Sequence, residues 1–275
     1  MGLPSSQVLA LWVRESLCEC DWRRLEDVCL SVVSERLELK DDECLEYVEQ
    51  NLAFIADHLR EESAECALDG RKPVFEIDEE PRPYIRLLQS LSEAKAVLGK
   101  LYSIAPLAFE DVCSNILNKL GARASVAKTA LDGGVDFLGF NLSFIDLELA
   151  VPQPCRTCVI GQAKRYKSTK PITETKVREF IGAATRRRHQ FLKDGRLAAL
   201  TPVIYAFWTT SSFDKNAREF SRDIGLWHME GLTLADYIRR LDLTEYVNSI
   251  PSEAPKMKKQ EDSEVINPSG RDEDM

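Results

Sequence analysis

The apolar periodicity of this chain changes at about Pro106, and the change limits the folds that the chain can adopt. Before Pro106, the stretches DWRRLEDVCLSVVSERL and DECLEYVEQNLAFIADHL repeat apolar residues every three or four positions, as amphipathic helices do. After Pro106, a helix over about 107–120 is followed by short apolar stretches that are typical of strands. The pattern predicts an all-α N-terminal domain followed by a mixed α/β domain.

The chain therefore divides into three predicted parts, and its 275 residues are enough for two domains. Residues 1–105 form a mostly helical domain, in which Gly70 and three prolines surround a strand-like VFEI before a last helix over about 84–102. Residues 106–246 form the α/β domain. Residues 247–275 are rich in charged and polar residues, so we expect them to be a disordered tail.

Strand-like segments within 106–246 surround one long helix. ARASVAKT, VDFLGF and CVIGQAKRY precede that helix, which covers about 173–192, and TPVIYAFWT follows it. TPVIYAFWT is almost continuously apolar, as expected of a strand that is buried on both faces. DKNAREFSRDIGL and LTLADYIRRL are predicted to be closing helices.

The distribution of charge separates the same regions. The net charge of −9 taken as a whole argues against a nucleic-acid partner. However, residues 1–105 hold 12 basic and 22 acidic residues, whereas residues 106–247 hold 20 basic and 16 acidic ones. The segment 164–196 alone has 11 basic residues against three acidic ones. We therefore expect this segment to meet a polyanion, and the acidic N-terminal domain to meet protein, a small ligand or its own basic partner domain.

Several common classes of catalytic and metal site are not expected, because their sequence motifs are absent. The sequence has no glycine-rich GxxxxGK[ST] loop, no GxSxG and no HExxH. Its histidines are His58, His189 and His228, so a histidine-based triad or tri-histidine zinc site would need nearly all of them to converge. Cys155 and Cys158 form a lone CxxC without a second pair, and zinc is not expected.

The cysteines and the apolar stretches indicate a reducing, aqueous compartment. The eight cysteines are scattered, as expected of small buried side chains rather than of a disulfide framework. No stretch approaches eighteen consecutive apolar residues, and the N-terminus lacks the pattern of a secretory signal. We expect a cytoplasmic protein without membrane contact.

Three residues occur in the order that metal-dependent phosphodiester hydrolysis would use. Glu110 lies in the helix after Pro106, Asp136 follows the DGG turn, and Lys164 ends the strand-like GQAK. Such hydrolysis needs a hard cation held by oxygen ligands and a group close to the attacking water. Gln162 and Lys164 are two residues apart, so both project from the same face of a strand.

Each of these residues also has a purely structural interpretation. Asp136 follows two glycines and suits a turn. Lys164 suits a solvated strand end, and Glu110 suits the first turn of a helix because the helix dipole favours an acidic group there. The arginine run 186–188 suits the solvated face of a helix.

The order of the motifs discriminates between these interpretations. LAFEDVCSNILNKLGA, DGGVDF, VIGQAKRY, VREFIGAATRRRHQF and VIYAFWTTSSFDKNAREFSRDIGLWHMEGLTLADYI together resemble the Mrr-type restriction endonucleases of the PD-(D/E)XK nuclease superfamily. The resemblance covers roughly residues 106–245. It implies a restriction-endonuclease-like mixed β-sheet flanked by helices.

The resemblance also implies roles for individual residues. Asp136, Gln162 and Lys164 would form the catalytic core, and the helical Glu110 would complete a site for Mg²⁺, or for Mn²⁺ in its place. The metal ligands would be Asp136, Glu110 and Gln162, with Gln162 in the position of an acidic residue of the wider superfamily. The residues expected to contact DNA are Arg165, Lys167, Lys170, Lys176, Arg186, Arg187 and Arg188.

The implied function is a metal-dependent endonuclease that cuts double-stranded DNA in restriction or anti-phage defence. Two alternatives stay open: a catalytically silent DNA- or partner-binding subunit with a nuclease fold, and a nuclease acting on RNA or branched DNA.

The sequence departs from the family pattern in two places. NLSFIDLELAVPQPCRTC lengthens the connection between Asp136 and Gln162, which could bring Asp146 or Glu148 near the site. Residues 1–105 resemble no known family, and we expect them to control target choice, to bind a protein partner or to form a homo-oligomer.

Overall fold

The structure is a computed structural model of the whole chain. The residues that it describes are 3–17, 21–68, 73–78, 82–88, 91–127, 134–142 and 156–253.

The N-terminal region is mostly helical, as predicted. Its helices are α1 (Ser6–Ser16), α2 (Leu25–Arg36), α3 (Asp41–Leu68) and α4 (Ser92–Ser103). It also contains a small antiparallel sheet in the order β1-β3-β2, formed by β1 (Arg23–Arg24), β2 (Phe75–Asp78) and β3 (Tyr84–Leu87). The helix predicted over 84–102 therefore starts only at Ser92. Ile85 and Leu87 alternate with less buried neighbours and pair with β2, so this stretch forms a strand.

The second region is a mixed sheet flanked by helices, which confirms the predicted fold class. In chain order, its elements are α5 (Pro106–Lys119), β4 (Arg123–Val126), β5 (Phe137–Leu142), β6 (Thr157–Lys164), α6 (Glu174–Lys193), β7 (Val203–Thr209), α7 (Lys215–Asp223), β8 (Trp227–Glu230), α8 (Gly231–Arg240) and α9 (Thr244–Ser249). The strand order is β4-β5-β6-β7-β8; β4, β5 and β6 pair antiparallel, whereas β6, β7 and β8 pair parallel.

Local sequence accounts for several boundaries of these elements. Pro106 lies at the start of α5, where a missing backbone N–H has no cost, and Gly121 follows the helix with a φ of 87°. Asp214 caps α7 by accepting a hydrogen bond from the Ala217 N–H at 2.7 Å. The strand β8 was not predicted, because WHME is short and has no clear alternation of apolar and polar residues.

The sheet separates two hydrophobic cores. On one face, Phe109 of α5 and Trp208 of β7 belong to a cluster that continues into Leu9 and Val13 of α1. On the other face, Phe207 of β7 packs with Phe180 of α6, their ring centroids 5.6 Å apart. Neighbouring residues of one strand point to opposite faces, so β7 contributes to both cores.

The chain stays packed past residue 246. Val247 in α9 is fully buried, and Ser252 pairs with Ile104 in an antiparallel bridge. The rest of the predicted tail, residues 254–275, lies outside the described residues, as do Asp146, Glu148 and Cys155. Within the described part of the chain, none of the helices has both the length and the apolar character needed to span a bilayer.

Candidate active site

The antiparallel pairing of β5 and β6 brings the predicted catalytic residues to one edge of the sheet. Asp136 immediately precedes β5, and its backbone N–H donates to the Gly161 carbonyl at 2.8 Å. Lys164 is the last residue of β6. Because neighbouring antiparallel strands run in opposite directions, the start of β5 and the end of β6 lie side by side.

Asp136 and Lys164 form an ion pair at this edge. Lys164 Nζ lies 3.0 Å from Asp136 Oδ2, which also accepts a hydrogen bond from the Ala163 N–H at 2.9 Å. The two side chains are 16% and 29% exposed, so the pair is partly buried but accessible. No described residue donates a hydrogen bond to Asp136 Oδ1, which leaves this oxygen able to bind a ligand.

Gln162 is held in one orientation by a glycine. Its side-chain Nε2 donates to the Gly134 carbonyl at 2.6 Å, and the residue is only 7% exposed. A Cβ on Gly134 would lie 3.1 Å from that nitrogen, and the φ of 105° at this position also requires glycine. Because Nε2 is used in this way, Oε1 is the amide atom that remains for a ligand.

Glu110 shares the electrostatic environment of these residues. Burial raises the pKa of Glu110, and the negative charge of Asp136 raises it further, whereas Lys164 opposes the change. Complete burial raises the pKa of Cys113, one turn further along α5, and the charges of Asp136 and Glu110 add to this effect. Glu110 therefore lies close enough to Asp136 and Lys164 for both of their charges to act on it.

The oxygen atoms of this edge suit a hard divalent cation. The negative charge of Asp136 helps to raise the pKa of Glu110, so a cation between the two carboxylates would stabilise the charged form of Glu110, and the Gln162 amide supplies a third oxygen. In the described ranges, no three or more His, Cys, Asp and Glu side chains gather into a cluster that could hold a metal. A cation bound here would therefore need water or substrate oxygens to complete its shell.

The loop that follows Lys164 carries three predicted DNA contacts in different surroundings. Lys167 and Lys170 are exposed, and Lys170 Nζ lies 4.6 Å from the centroid of the Tyr166 ring. Arg165 instead bonds within the chain, because its Nη1 donates to the Tyr102 carbonyl and its Nη2 to Glu253, both at 2.9 Å.

The residues of α6 that were predicted to contact DNA are distributed around the helix. Ala183 lies beside Gly134, so the exposed Arg186 follows one turn later on the side that faces the site. Arg188 lines a cleft of about 350 Å³ with Val203 and Tyr205, near the amino end of β7. The arginine run therefore does not form a single surface.

Lys176 and Arg187 each have a partner on α6. Lys176 Nζ pairs with Glu179 at 2.7 Å, and Arg187 lies over the Phe191 ring and donates to Gln190.

Sequence reasoning missed the hydroxyl residues at the end of β7. Thr209 is completely buried, and its Oγ1 donates to the Lys164 carbonyl at 2.8 Å. Thr210 and Ser211 bond to the loop after Lys164 in the same way. The signal in the sequence is the polar run TTSS directly after an apolar strand.

The comparison with protein families identifies the family to which the chain belongs. A family model described as restriction endonuclease, of the Mrr catalytic type, matches residues 101–238. The chain belongs to the Mrr-type restriction endonuclease family. This match confirms the resemblance inferred from the motifs, and the Mrr family region contains Glu110, Asp136, Gln162 and Lys164.

Two solved structures are similar to the chain. One is the MspJI restriction endonuclease in complex with a 27-mer oligonucleotide, at 25% identity and a TM-score of 0.40, covering 57% of this chain and 33% of that one. The other is the DNA modification-dependent restriction endonuclease AspBHI, at 20% identity and a TM-score of 0.39, covering 58% and 39%. The chain thus spans less than two fifths of either structure. No curated protein matches the chain significantly.

Proposed function

We propose that this protein is a divalent-cation-dependent endonuclease that hydrolyses phosphodiester bonds of double-stranded DNA in restriction or anti-phage defence, in the cytoplasm. The observation that supports it most directly is the ion pair between Lys164 Nζ and Asp136 Oδ2 at a sheet edge, beside Gln162 and Glu110. Membership of the Mrr family supports the same reaction class.

Asp136, Glu110 and Gln162 would hold Mg²⁺, or Mn²⁺ in its place, through their side-chain oxygens. When bound, the cation would polarise the scissile phosphate and acidify a water molecule. Asp136 Oδ1 and Gln162 Oε1 are the atoms best suited to this, because Asp136 Oδ2 and Gln162 Nε2 already have partners.

Lys164 would act on the phosphate. Its ammonium group, held by Asp136, can orient the attacking water or neutralise the charge that develops on the phosphate in the transition state. The backbone of this residue belongs to a strand in the middle of the sheet, so the ammonium starts from a rigid position.

The surrounding cations would bind the DNA backbone. Lys167, Lys170 and Arg186 are exposed and are the leading candidates for phosphate contacts. Lys176, Arg187 and Arg188 would extend the surface along α6. Arg165 would support the loop more than it contacts DNA, because both of its Nη atoms bond within the chain.

We also propose that residues 1–105 control the nuclease, through a protein partner, target choice or a homo-oligomer. Their net charge of −10 disfavours DNA as their ligand. They touch the second region through Arg14 of α1, which lies 3.7 Å from Glu230, and through Tyr102, whose hydroxyl lies 3.1 Å from the Thr210 carbonyl.

Cleavage of supercoiled plasmid tests the proposal. The purified protein should nick or cut methylated or unmethylated plasmid with Mg²⁺ or Mn²⁺, and chelation should stop it. Asp136→Asn and Lys164→Ala should each lower the rate by at least about 10³-fold, as expected when a group that acts in the transition state is lost. Asp223→Asn and Lys119→Ala, which change exposed residues away from the site, are the matched controls.

The same assay, with calorimetry, distinguishes the proposed function from the alternatives. Cleavage that persists in both site variants would reject the assignment of the site. Cleavage of RNA or of a branched junction in preference to plasmid would change the substrate. Calorimetry that finds no cation binding dependent on Asp136 would favour a catalytically silent subunit.

A further inference from the structure

Four consecutive hydroxyl residues follow the apolar part of β7 and are buried. Thr209, Thr210, Ser211 and Ser212 are between 0% and 4% exposed. A buried hydroxyl costs free energy unless it is hydrogen-bonded. The partners of these groups therefore indicate what the segment is for.

Three of the four hydroxyls donate to backbone carbonyls at the end of β6 and in the loop that follows it. Thr209 Oγ1 donates to the Lys164 carbonyl at 2.8 Å, and Thr210 Oγ1 donates to the Tyr166 carbonyl at 2.7 Å. Ser211 Oγ donates to the Lys170 carbonyl at 2.9 Å. The acceptors are thus the proposed catalytic lysine itself and two residues of the loop between it and α6.

The loop needs such bonds because its own backbone offers few. Residues 165–171 belong to neither a helix nor a strand, so regular secondary structure does not satisfy their carbonyl groups. Backbone contacts complete the attachment: the Thr210 N–H donates to the Lys164 carbonyl at 3.2 Å, and the Ile172 N–H donates to the Ser212 carbonyl at 2.7 Å.

Thr209 has the most connected hydroxyl of the set. It donates to the Lys164 carbonyl and accepts from the Ser211 N–H at 3.1 Å. The Lys164 carbonyl thus receives two hydrogen bonds from the end of β7, one from Thr209 Oγ1 and one from the Thr210 N–H. The backbone from which the Lys164 side chain extends is fixed by the neighbouring parallel strand.

We propose that Thr209, Thr210 and Ser211 are positioning residues of the nuclease. Thr209 holds the backbone of Lys164 so that its ammonium group meets the scissile phosphate. Thr210 and Ser211 hold the loop so that Lys167 and Lys170 face the DNA backbone. The proposal rests on the proposed function, because it assigns these residues to the same site.

The two roles differ in the kinetic constant that they affect. Loss of the Thr209 bond displaces a group that acts in the transition state, which lowers kcat. Loss of the Thr210 or Ser211 bond loosens residues that bind substrate before and during the reaction, which raises KM. A residue that only stabilised the fold would not divide its effect in this way.

Steady-state cleavage of a duplex by a set of variants tests this division. The variants are Thr209→Val, Thr209→Ser, Thr210→Val, Thr210→Ser and Ser211→Ala. The matched control is Thr201→Val, a buried threonine that precedes the same strand at its opposite end and accepts a hydrogen bond from the Ala198 N–H. Thermal unfolding and amide hydrogen exchange of residues 165–172 are measured for each variant.

Thr209→Val should lower kcat by about ten- to hundredfold, because small displacements of a catalytic group have effects of this size. Its KM should stay within about twofold of wild type. Thr210→Val and Ser211→Ala should raise KM by about tenfold, keep kcat within about twofold and speed amide exchange in the loop. Both Thr→Ser variants should recover most of the loss, and Thr201→Val should resemble wild type.

Each outcome has a separate meaning. If the wild-type protein does not cleave, the proposed function falls and the kinetic roles fall with it. If the wild type cleaves and Asp136→Asn does not, but Thr209→Val matches Thr201→Val, only the positioning role is overturned. A Thr209→Ser variant that is no better than Thr209→Val, or a Thr209→Val variant whose only defect is thermal stability, would also overturn it.

Discussion

The two faces of the five-stranded sheet differ in what covers them. One face shares its hydrophobic core with α1 to α5 and with α8, whereas the core on the other face is confined to residues between Val135 and Leu226. On the first face α5 and α8 pack against the strands, with α4 of the acidic N-terminal region packed on α8, whereas the second face is closed by α6, whose outer side is basic. The proposed DNA-binding surface therefore lies on the side of α6, and the N-terminal region belongs to the core on the opposite face.

The largest expected effect comes from removing the N-terminal layer. A fragment of residues 92–253 should lose its cooperative unfolding transition, since the core around Phe109 and Trp208 would be open to water. The loss would amount to the whole stability of the domain, about 5–15 kcal/mol. Urea denaturation followed by circular dichroism measures it. A fragment with the midpoint of the full chain would show that the two faces do not differ as described.

The next largest effect is expected from a matched pair of substitutions, one in each hydrophobic core. Phe109 and Phe180 are both completely buried or nearly so, one on each face. Phe109→Ala and Phe180→Ala should each destabilise the protein by about 3–5 kcal/mol. Only Phe109→Ala should speed amide exchange in α1, whereas Phe180→Ala should affect α6 and β7. Equal effects on α1 would contradict the separation of the cores.

A smaller effect is expected at the ionic contact between the layers. Burial alone would raise the pKa of Glu230, but Arg218, Arg14 and the Phe213 N–H together lower it. Glu230→Gln should cost about 3 kcal/mol at neutral pH, because it removes a carboxylate that offsets the buried charges of Arg14 and Arg218.

The pH dependence of this contact has a definite sign. A carboxyl with a lowered folded-state pKa contributes its full stability above its ordinary pKa and loses it as the pH falls through the folded value. The wild type should therefore lose stability on acidification below about pH 4.5, and Glu230→Gln should lose less. Parallel stability curves for the two proteins between pH 6 and pH 3 would count against the assignment.

The smallest expected effect concerns the outer surface of α6. Arg186→Ala should leave stability within about 0.5 kcal/mol, as for most surface substitutions. It should lower the slope of log affinity against log salt by about one, as expected for the loss of one phosphate contact. Arg188→Ala is the comparison, because Arg188 lies beside Tyr205 near the other end of β7. An equal change in both variants would mean that DNA crosses the whole helix.

Much of the fold could be predicted because it depends on local patterns. The helices α2, α3, α5 and α6 follow from apolar residues at helical spacing, and β6 and β7 follow from continuous apolar runs. The strand β3 could not be predicted, because YIRLLQSL fits helical spacing equally well and becomes a strand only by pairing with β2. The sequence does not show which distant strand is available for pairing.

The same limit applies to the site. The order of Glu110, Asp136, Gln162 and Lys164 was enough to group them as one candidate site, and the pairing of β5 with β6 brings Asp136 and Lys164 together. The contacts of Thr209 were not predictable, since they depend on the parallel register of β6 and β7, which pairs Lys164 with a residue 45 positions later. Likewise, Arg165 reads as one more cation in a basic run until its bonds to Tyr102 and Glu253 are known.

The parallel register of β6 and β7 also has a consequence for synthesis on the ribosome. Domains are made from the N-terminus onward, so Asp136, Gln162 and Lys164 emerge well before β7, whose end fixes the backbone of Lys164. Pairing between such distant segments is slow and waits for the later one. We expect a nascent chain that stops before β7 to carry every proposed catalytic side chain without an organised site, which would delay cleavage until the polypeptide is complete.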